Sequence, residues 1–200
     1  MSQISIYKKH REQIKEMIIE TAVNLFREKG YEHVSVDEIT MKIEIAKGTF
    51  YNYFSSKGEL LVYWAKECFS GMDIQMALDT TKTVEENLDC LVGCYASAIS
   101  EERALFASFL REVGAMSLQQ PGKLRDFDFE QLLKAAISNS CDGTGILSDQ
   151  FELKVKVLNS AIFSAIVDWT FGSKEIRELE LNLTKIIRIC LHGLFSGGKV

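Results

Sequence analysis

Between Lys47 and Lys57 the chain reads Lys-Gly-Thr-Phe-Tyr-Asn-Tyr-Phe-Ser-Ser-Lys, with no carboxylate until Glu59. Ammonium groups neutralise phosphates, and hydroxyl and amide groups bond phosphate oxygens or base edges, so this mixture suits a nucleic acid. Phe50 and Phe54, four residues apart, share one helix face and can pin the segment down. The opposite face presents Gly48, Thr49 and Asn52, with Tyr51 and Tyr53 on its flanks and Lys47 in the first turn. Gly48 removes bulk where the backbone has to approach DNA. Lys57 opens the following helix, where an ammonium opposes the positive end of the macrodipole by about a few tenths of a kcal/mol. An arriving phosphate reverses that sign, because the lysine and the free backbone amides both attract it.

Catalysis has less to build on. His10, His33 and His192 are scattered, no nucleophile–base set emerges, and no catalytic residue is assigned; an enzyme is not expected. Cys90 and Cys94 stand four apart on one helix face, but no further ligands join them, so neither a metal site nor a cofactor is expected.

Several elements must hold the polar surface in place. A first helix is predicted from about Tyr7 to Lys29, where Ile14, Ile18, Ala22, Leu25 and Phe26 form one stripe and Gly30 closes the end. Ser35-Val-Asp-Glu38 has the spacing of a capping box and opens a two-turn helix with Val36, Ile39 and Ile43 inward. A further short helix must begin near Ala46 to bring Phe50 and Phe54 together, which makes a helix-turn-helix over about 35–54. Ser56-Lys-Gly-Glu59 is a second capping box, starting a helix that runs to about Leu78. Lys8, Lys9 and Arg11 offer a basic arm toward phosphates or a minor groove.

Composition agrees with a helical chain. One proline in 200 residues, where average usage would give about ten, leaves helices uninterrupted. The net charge of −5 excludes a protein that coats nucleic acid by bulk basicity. Residues 1–60 hold nine Lys/Arg and nine Asp/Glu, so the whole deficit lies downstream. Five cysteines in odd number, with no signal peptide, fit reduced thiols and a cytoplasmic location. No apolar run reaches the roughly 20 residues that span a bilayer, so no membrane partner is expected.

From Ile14 to Leu61 the sequence resembles the DNA-binding domain of the TetR (tetracycline-repressor-like) family of bacterial transcription regulators. The matching marks are Ile18, Ala22, Phe26, Gly30-Tyr31, Ser35, Ile39, Gly48-Thr49-Phe50-Tyr51-Asn52-Tyr53-Phe54, Lys57 and Leu60. Two positions depart: Glu44 stands where the turn usually carries glycine, and Ala46 where a capping serine is common. A non-glycine residue at positive φ costs around 1 kcal/mol, so the turn is expected to be strained or differently shaped. The resemblance implies DNA contacts from Tyr51, Tyr53 and Lys57. With the reading above, the expected DNA-binding set is Ser35, Lys47, Gly48, Thr49, Tyr51, Asn52, Tyr53 and Lys57.

Downstream, helices are predicted at about 56–79, 83–100, 102–117, 123–140, 149–171 and 175–196, broken at Pro121-Gly122 and at Asp142-Gly-Thr-Gly145. Leu158, Ile162, Ala165, Ile166 and Trp169 form one stripe, with Val157, Ala161 and Phe163 beside it. Leu179, Leu183, Ile186, Ile187, Cys190, Leu194 and Phe195 form another, with Ile189 and Leu191 off the main face. Helices apolar nearly all round are buried on more than one side, so part of this surface is expected to meet a second chain. The resemblance implies a homodimer joined through these two helices as a four-helix bundle. Leu158, Ile162, Ile166, Leu183, Ile186, Ile187 and Leu194 are the expected interface. It also implies an effector pocket, for which Tyr95, Phe106, Phe109, Phe127, Asp168 and Trp169 are the candidates.

The chain is thus expected to be all-α. A three-helix helix-turn-helix domain (1–55) precedes a six-helix ligand-binding and dimerisation domain (56–200). The function read from it is a ligand-responsive regulator, a repressor released from a palindromic double-stranded DNA operator by a small hydrophobic or amphipathic effector. The alternative is a helical small-molecule-binding protein that has lost DNA binding.

Overall fold

A computed structural model of the chain describes residues 3–70, 79–119, 129–142 and 150–195. Every regular element among them is helical. The α-helices are α1 (Gln3–Lys29), α2 (Val36–Lys42), α3 (Lys47–Tyr51), α4 (Lys57–Ser70), α5 (Val84–Glu101), α6 (Arg103–Gln119), α7 (Phe129–Ser138), α8 (Phe151–Phe171) and α9 (Ile176–Cys190). A 3₁₀ turn occupies Tyr31–His33 and a π turn Leu191–Phe195. The all-α expectation holds, with a three-helix N-terminal set followed by six more α-helices among the described residues. Phe127 and the two predicted breaks after Gln120 and Asp142 lie outside the described residues.

Two compact units form: Met1–Cys68 with Ala104–Leu118, and Phe69–Arg103 with Gln119–Val200. They do not follow the division expected at 55/56. Leu60, Leu61, Trp64 and Ala65 are buried along α4, which groups with α1–α3, and Leu105, Phe106, Ala107 and Phe109 of α6, which are buried too, belong to the same unit. Seven helices, α2 to α6, α8 and α9, begin within two residues of the predicted starts; α1 begins at Gln3 and so carries Lys8, Lys9 and Arg11 on a helix instead of a free arm, and the start predicted near 123 lies outside the described residues.

In the first unit the predicted stripe is the core: Ile18, Ala22, Leu25 and Phe26 are buried, with Ile39, Phe50 and Phe54. Gly30 ends α1 at φ 85°, a conformation open to glycine at little cost, and its N–H bonds the Phe26 carbonyl at 2.9 Å. Both capping boxes form by halves. Ser35 accepts from the Glu38 amide at 3.1 Å, but the Glu38 carboxylate turns to Lys29. Ser56 accepts from the Glu59 amide at 3.0 Å, while the Glu59 carboxylate reaches back one residue further, to the Ser55 amide at 2.6 Å. A complete box occurs at Thr83 and Glu86, opening α5.

The second unit is a ring of four helices, in which α5 packs on α7 and α9, and α8 packs on α7 and α9. Its core includes Leu88, Leu91, Leu133, Ile137, Leu158, Ile162, Leu183 and Ile187. Two polar devices fix its corners. Fully buried Asn87 donates to the Asp79 carbonyl and the Ser140 hydroxyl, both at 2.9 Å, and accepts from the Asp79 amide at 3.3 Å. Arg103 donates to the carbonyls of Trp169, Thr170, Gly172 and Lys174, with its guanidinium 4.1 Å from the Trp169 ring centroid. It thereby caps the end of α8, where the last turn's carbonyls lack helical partners.

The turn after α2 confirms the expected strain. Glu44 sits at φ 55°, the one non-glycine residue at positive φ among the described residues. Its amide bonds the Met41 carbonyl at 3.3 Å and the Ile45 amide bonds Thr40 at 3.1 Å, a Schellman closure whose left-handed position favours glycine. Glu44→Gly is therefore expected to stabilise the fold by up to about 1 kcal/mol. Urea unfolding reads this as a higher midpoint at unchanged slope; a lower midpoint shows that the glutamate is needed there.

Candidate nucleic-acid interface

The surface around α3 rests on two rings. Phe50 is fully buried and Phe54 nearly so, with centroids 5.9 Å apart, and Phe54 meets Tyr63 of α4 at 5.8 Å. Burying each phenyl ring stabilises the seat by about 1.5–3 kcal/mol. Helical bonding continues past α3, since Phe54 donates to the Phe50 carbonyl at 3.0 Å. Ala46 caps α3 with backbone alone, as its side chain dictates.

Gly48 and Asn52 are exposed on the opposite side, and Thr49 is half-buried. A β-carbon built on Gly48 meets nothing within 4 Å, so packing within the chain does not require glycine there. Tyr51 is 49% exposed with its ring edge on Phe50. Tyr53 is half-buried, with the Arg11 guanidinium 5.8 Å from its centroid. Ser35 accepts a bond from Glu38 and keeps its own hydroxyl hydrogen to donate. Lys47 is exposed and paired with Asp37 of α2 at 2.8 Å; that hydrogen bond holds its ammonium pKa above the ordinary lysine value. Ser35, Lys47, Gly48, Thr49, Tyr51, Asn52 and Tyr53 thus all belong to the two short helices and the turn that follows them.

Lys57 is the exception. Its ammonium turns into the unit and donates to the carbonyls of Tyr31 at 2.6 Å and Val34 at 3.0 Å, 4.0 Å from the Tyr31 ring centroid. Burial pulls its pKa below the ordinary value, while Glu32 and Glu112 oppose the shift. The ammonium is thus engaged by carbonyls of the 3₁₀ turn and the residue that follows it, rather than standing free at the start of α4. Nearby, the Tyr31 hydroxyl donates to Glu112 of α6 at 2.7 Å; burial and then this bond raise its pKa well above the usual phenol value. A pairing 81 positions apart left no signal in the sequence.

The other two candidate sites change more. Leu158, Ile162, Leu183 and Ile187 are fully buried within the chain and Ile166 is 6% exposed, so they cannot meet a partner; Ile186 and Leu194 are half-buried. The stripe with the cleanest periodicity is the chain's own core. What α8 and α9 leave outside is Leu153, Val157, Phe163, Phe171, Leu181 and Ile189. The second apolar face noted around Val157 and Ile189 was the signal for them.

Four of the pocket candidates, Tyr95, Phe106, Phe109 and Trp169, are buried rings. Phe106 and Phe109 belong to the first unit, where their centroids lie 5.4 Å apart. Tyr95, packed edge-on against Phe129 at 4.5 Å, and Trp169 belong to the second. Trp169 is buried, with its indole N–H on the Glu175 carbonyl at 3.0 Å. Asp168 is exposed and not an inward charge. It lines, with Trp169, Lys174, Leu179, Lys185 and Ile186, a cleft of about 260 Å³ between α8 and α9.

Residues 18–63 match a family model described as bacterial regulatory proteins, tetR family. An uncharacterised HTH-type transcriptional regulator, YuxN of Bacillus subtilis, is 42% identical over 72 residues, 34% of this chain and 25% of that protein. The IcaR negative transcriptional regulator of the biofilm operon icaADBC in Staphylococcus aureus is 31% identical over 70 residues, 35% of this chain and 38% of that protein. The chain thus matches only about a quarter to two fifths of the length of these curated relatives. Across nearly the whole chain the fold is that of Thermus thermophilus FadR, a TetR-family repressor solved with lauroyl-CoA. The TM-score is 0.74 at 21% identity, covering 92% of this chain and 96% of that one. A TetR-family regulator from the same organism, PfmR, is 25% identical with a TM-score of 0.56, covering 88% and 98%. The helix-turn-helix is thus matched in sequence by tetR-family regulatory proteins over residues 18–63, and the order of the helices is matched by the fold of TetR-family structures.

Proposed function

We propose that this chain is a cytoplasmic, homodimeric repressor that binds a roughly palindromic DNA operator and releases it when a hydrophobic or amphipathic effector binds. One observation carries the reading. The face of α3 opposite Phe50 and Phe54 holds Gly48, Tyr51 and Asn52 in solvent, and the chain's own packing does not require glycine at position 48. An exposed half-ring, an amide and room for close approach fit a major groove, where phosphate contacts position a helix and base-edge contacts specify the sequence. Lys47 and Ser35 supply phosphate contacts, and Lys57 acts from inside by holding the 3₁₀ turn.

The dimer forms through the outer faces of α8 and α9. Leu153, Val157, Ser160, Ser164 and Phe171 recur along one side of α8 at helical spacing, and Ile189 is 71% exposed on α9. A two-fold axis then sets the two recognition helices for half-sites about 34–36 Å apart, or a multiple of that. The effector reading draws on the aromatic content of the second unit and on the lauroyl-CoA held by the FadR relative. An effector acts only if it prefers one arrangement of the DNA-binding heads over the other.

Fluorescence anisotropy with genomic fragments tests the DNA reading: affinity falls as salt rises, because bound phosphates release counterions. Tyr51→Ala lowers affinity by about 1–3 kcal/mol with an unchanged melting temperature, whereas Lys57→Ala lowers both affinity and melting temperature. No retained fragment at low salt favours the small-molecule-binding alternative.

Light scattering at micromolar concentration is expected to give a dimer mass. Val157→Asp and Ile189→Asp yield folded monomers, while Ile162→Asp unfolds the chain by burying an unpaired charge. A dimer that survives both outer-face substitutions places the interface elsewhere.

A panel of acyl-CoA thioesters and free fatty acids, scored for DNA release and a raised melting temperature, tests the effector class. A panel in which only polar or sugar compounds act overturns it.

A further inference from the structure

Cys90 and Cys94 lie one turn apart on α5, turned away from the core stripe of Leu88, Val92, Tyr95 and Ile99. Cys94 is exposed and Cys90 half-buried, neither in a disulfide, and their i, i+4 spacing on the helix makes the two side chains neighbours on one face. Between them a β-carbon built on Gly93 meets nothing within 4 Å, so space beside the pair is open. We propose that Cys90 and Cys94 form a dithiol site for a soft, thiophilic centre that takes two sulfur ligands, with a trivalent organoarsenical as its probe.

Geometry separates this from the other chemistry of paired thiols. Residues four apart on a helix hold their β-carbons about 5–6 Å apart, whereas a disulfide needs about 3.5–4.5 Å. A disulfide at this spacing requires α5 to deform. A bridging atom with bonds to sulfur of about 2.3 Å spans neighbouring thiols with the helix intact. Zinc demands four ligands, and no group of three or more His, Cys, Asp or Glu residues suited to a metal occurs among the described residues. Burial, and then the neighbouring Cys90, raise the Cys94 pKa, which makes that thiol a poor nucleophile toward peroxide. Capture of an arsenical needs no electron transfer. Phenylarsine oxide and two thiols form two As–S bonds, the As=O bond breaks, and its oxygen leaves as water with both thiol protons.

The test titrates the native full-length chain with phenylarsine oxide, following bound arsenical by intact mass and remaining thiols by a chromogenic disulfide reagent. Wild type takes up one equivalent and loses two titratable thiols, with the helical circular dichroism unchanged. Cys90→Ser and Cys94→Ser each lower affinity about a hundredfold or more, since a single thiol loses the intramolecular second bond. Cys68→Ser/Cys141→Ser retains the uptake. Undiminished binding in Cys90→Ser or Cys94→Ser overturns the proposal. So does a Cys90–Cys94 disulfide formed by diamide in the folded chain, because it makes the pair a redox site. Neither readout involves DNA, so failure here is distinct from failure of the operator reading.

Discussion

Every contact of Tyr31 with its surroundings is used. Its ring packs edge-on against Phe26 at a centroid distance of 5.0 Å, its hydroxyl donates to Glu112, and its carbonyl accepts from Lys57. One residue thereby ties α1, the 3₁₀ turn, α4 and α6 together within the first unit. Gly30 makes this possible, because its positive φ turns the chain sharply enough to bring Tyr31 back onto the helix it has just left. Space around the Glu112 carboxylate is tight. A β-carbon on Gly58 would stand 2.4 Å from its oxygen, so a larger residue there would displace the carboxylate from this position. The entry into α2, the strained turn at Glu44 and the seat of α3 are all built outward from this junction.

Much of this was legible from local chemistry. Apolar spacing of three and four residues identified the core faces of α1, α8 and α9. Gly30 marked a helix end, and Phe50 and Phe54 marked the buried side of α3. Even the unusual backbone at Glu44 could be anticipated, because the turn geometry is set by two helices whose ends were already read. What failed shared a different cause. Lys57 was placed by sequence at a helix start, but its side chain is long enough to reach carbonyls 23 and 26 positions earlier, and nothing local encodes that. Glu112 and Asp37 were missed for the same reason.

The interface was misread on another ground. A helix with two apolar faces gives one periodic signal, and periodicity cannot say which face its own chain covers. The buried face of α8 is the more regular one, since it must interdigitate with α7 and α9, while the outer face tolerates serine and irregular spacing. The aromatic rings meet the same limit: at helical spacing they fill cores, and Tyr95, Phe106, Phe109 and Trp169 are all buried.

The pairing of Lys47 with Asp37 bears on how such a surface would search a genome. Random DNA offers mainly backbone charge, and attraction to it depends on uncommitted cations. On this surface the lysine of α3 already faces a carboxylate, and the other nearby lysine, Lys57, is turned inward. If α3 meets DNA as proposed, Lys47 has to exchange Asp37 for a phosphate at every encounter, and that exchange shortens residence on arbitrary sequence. A protein with net charge −5 can in this way leave wrong sites quickly without adding a single base contact at the right one.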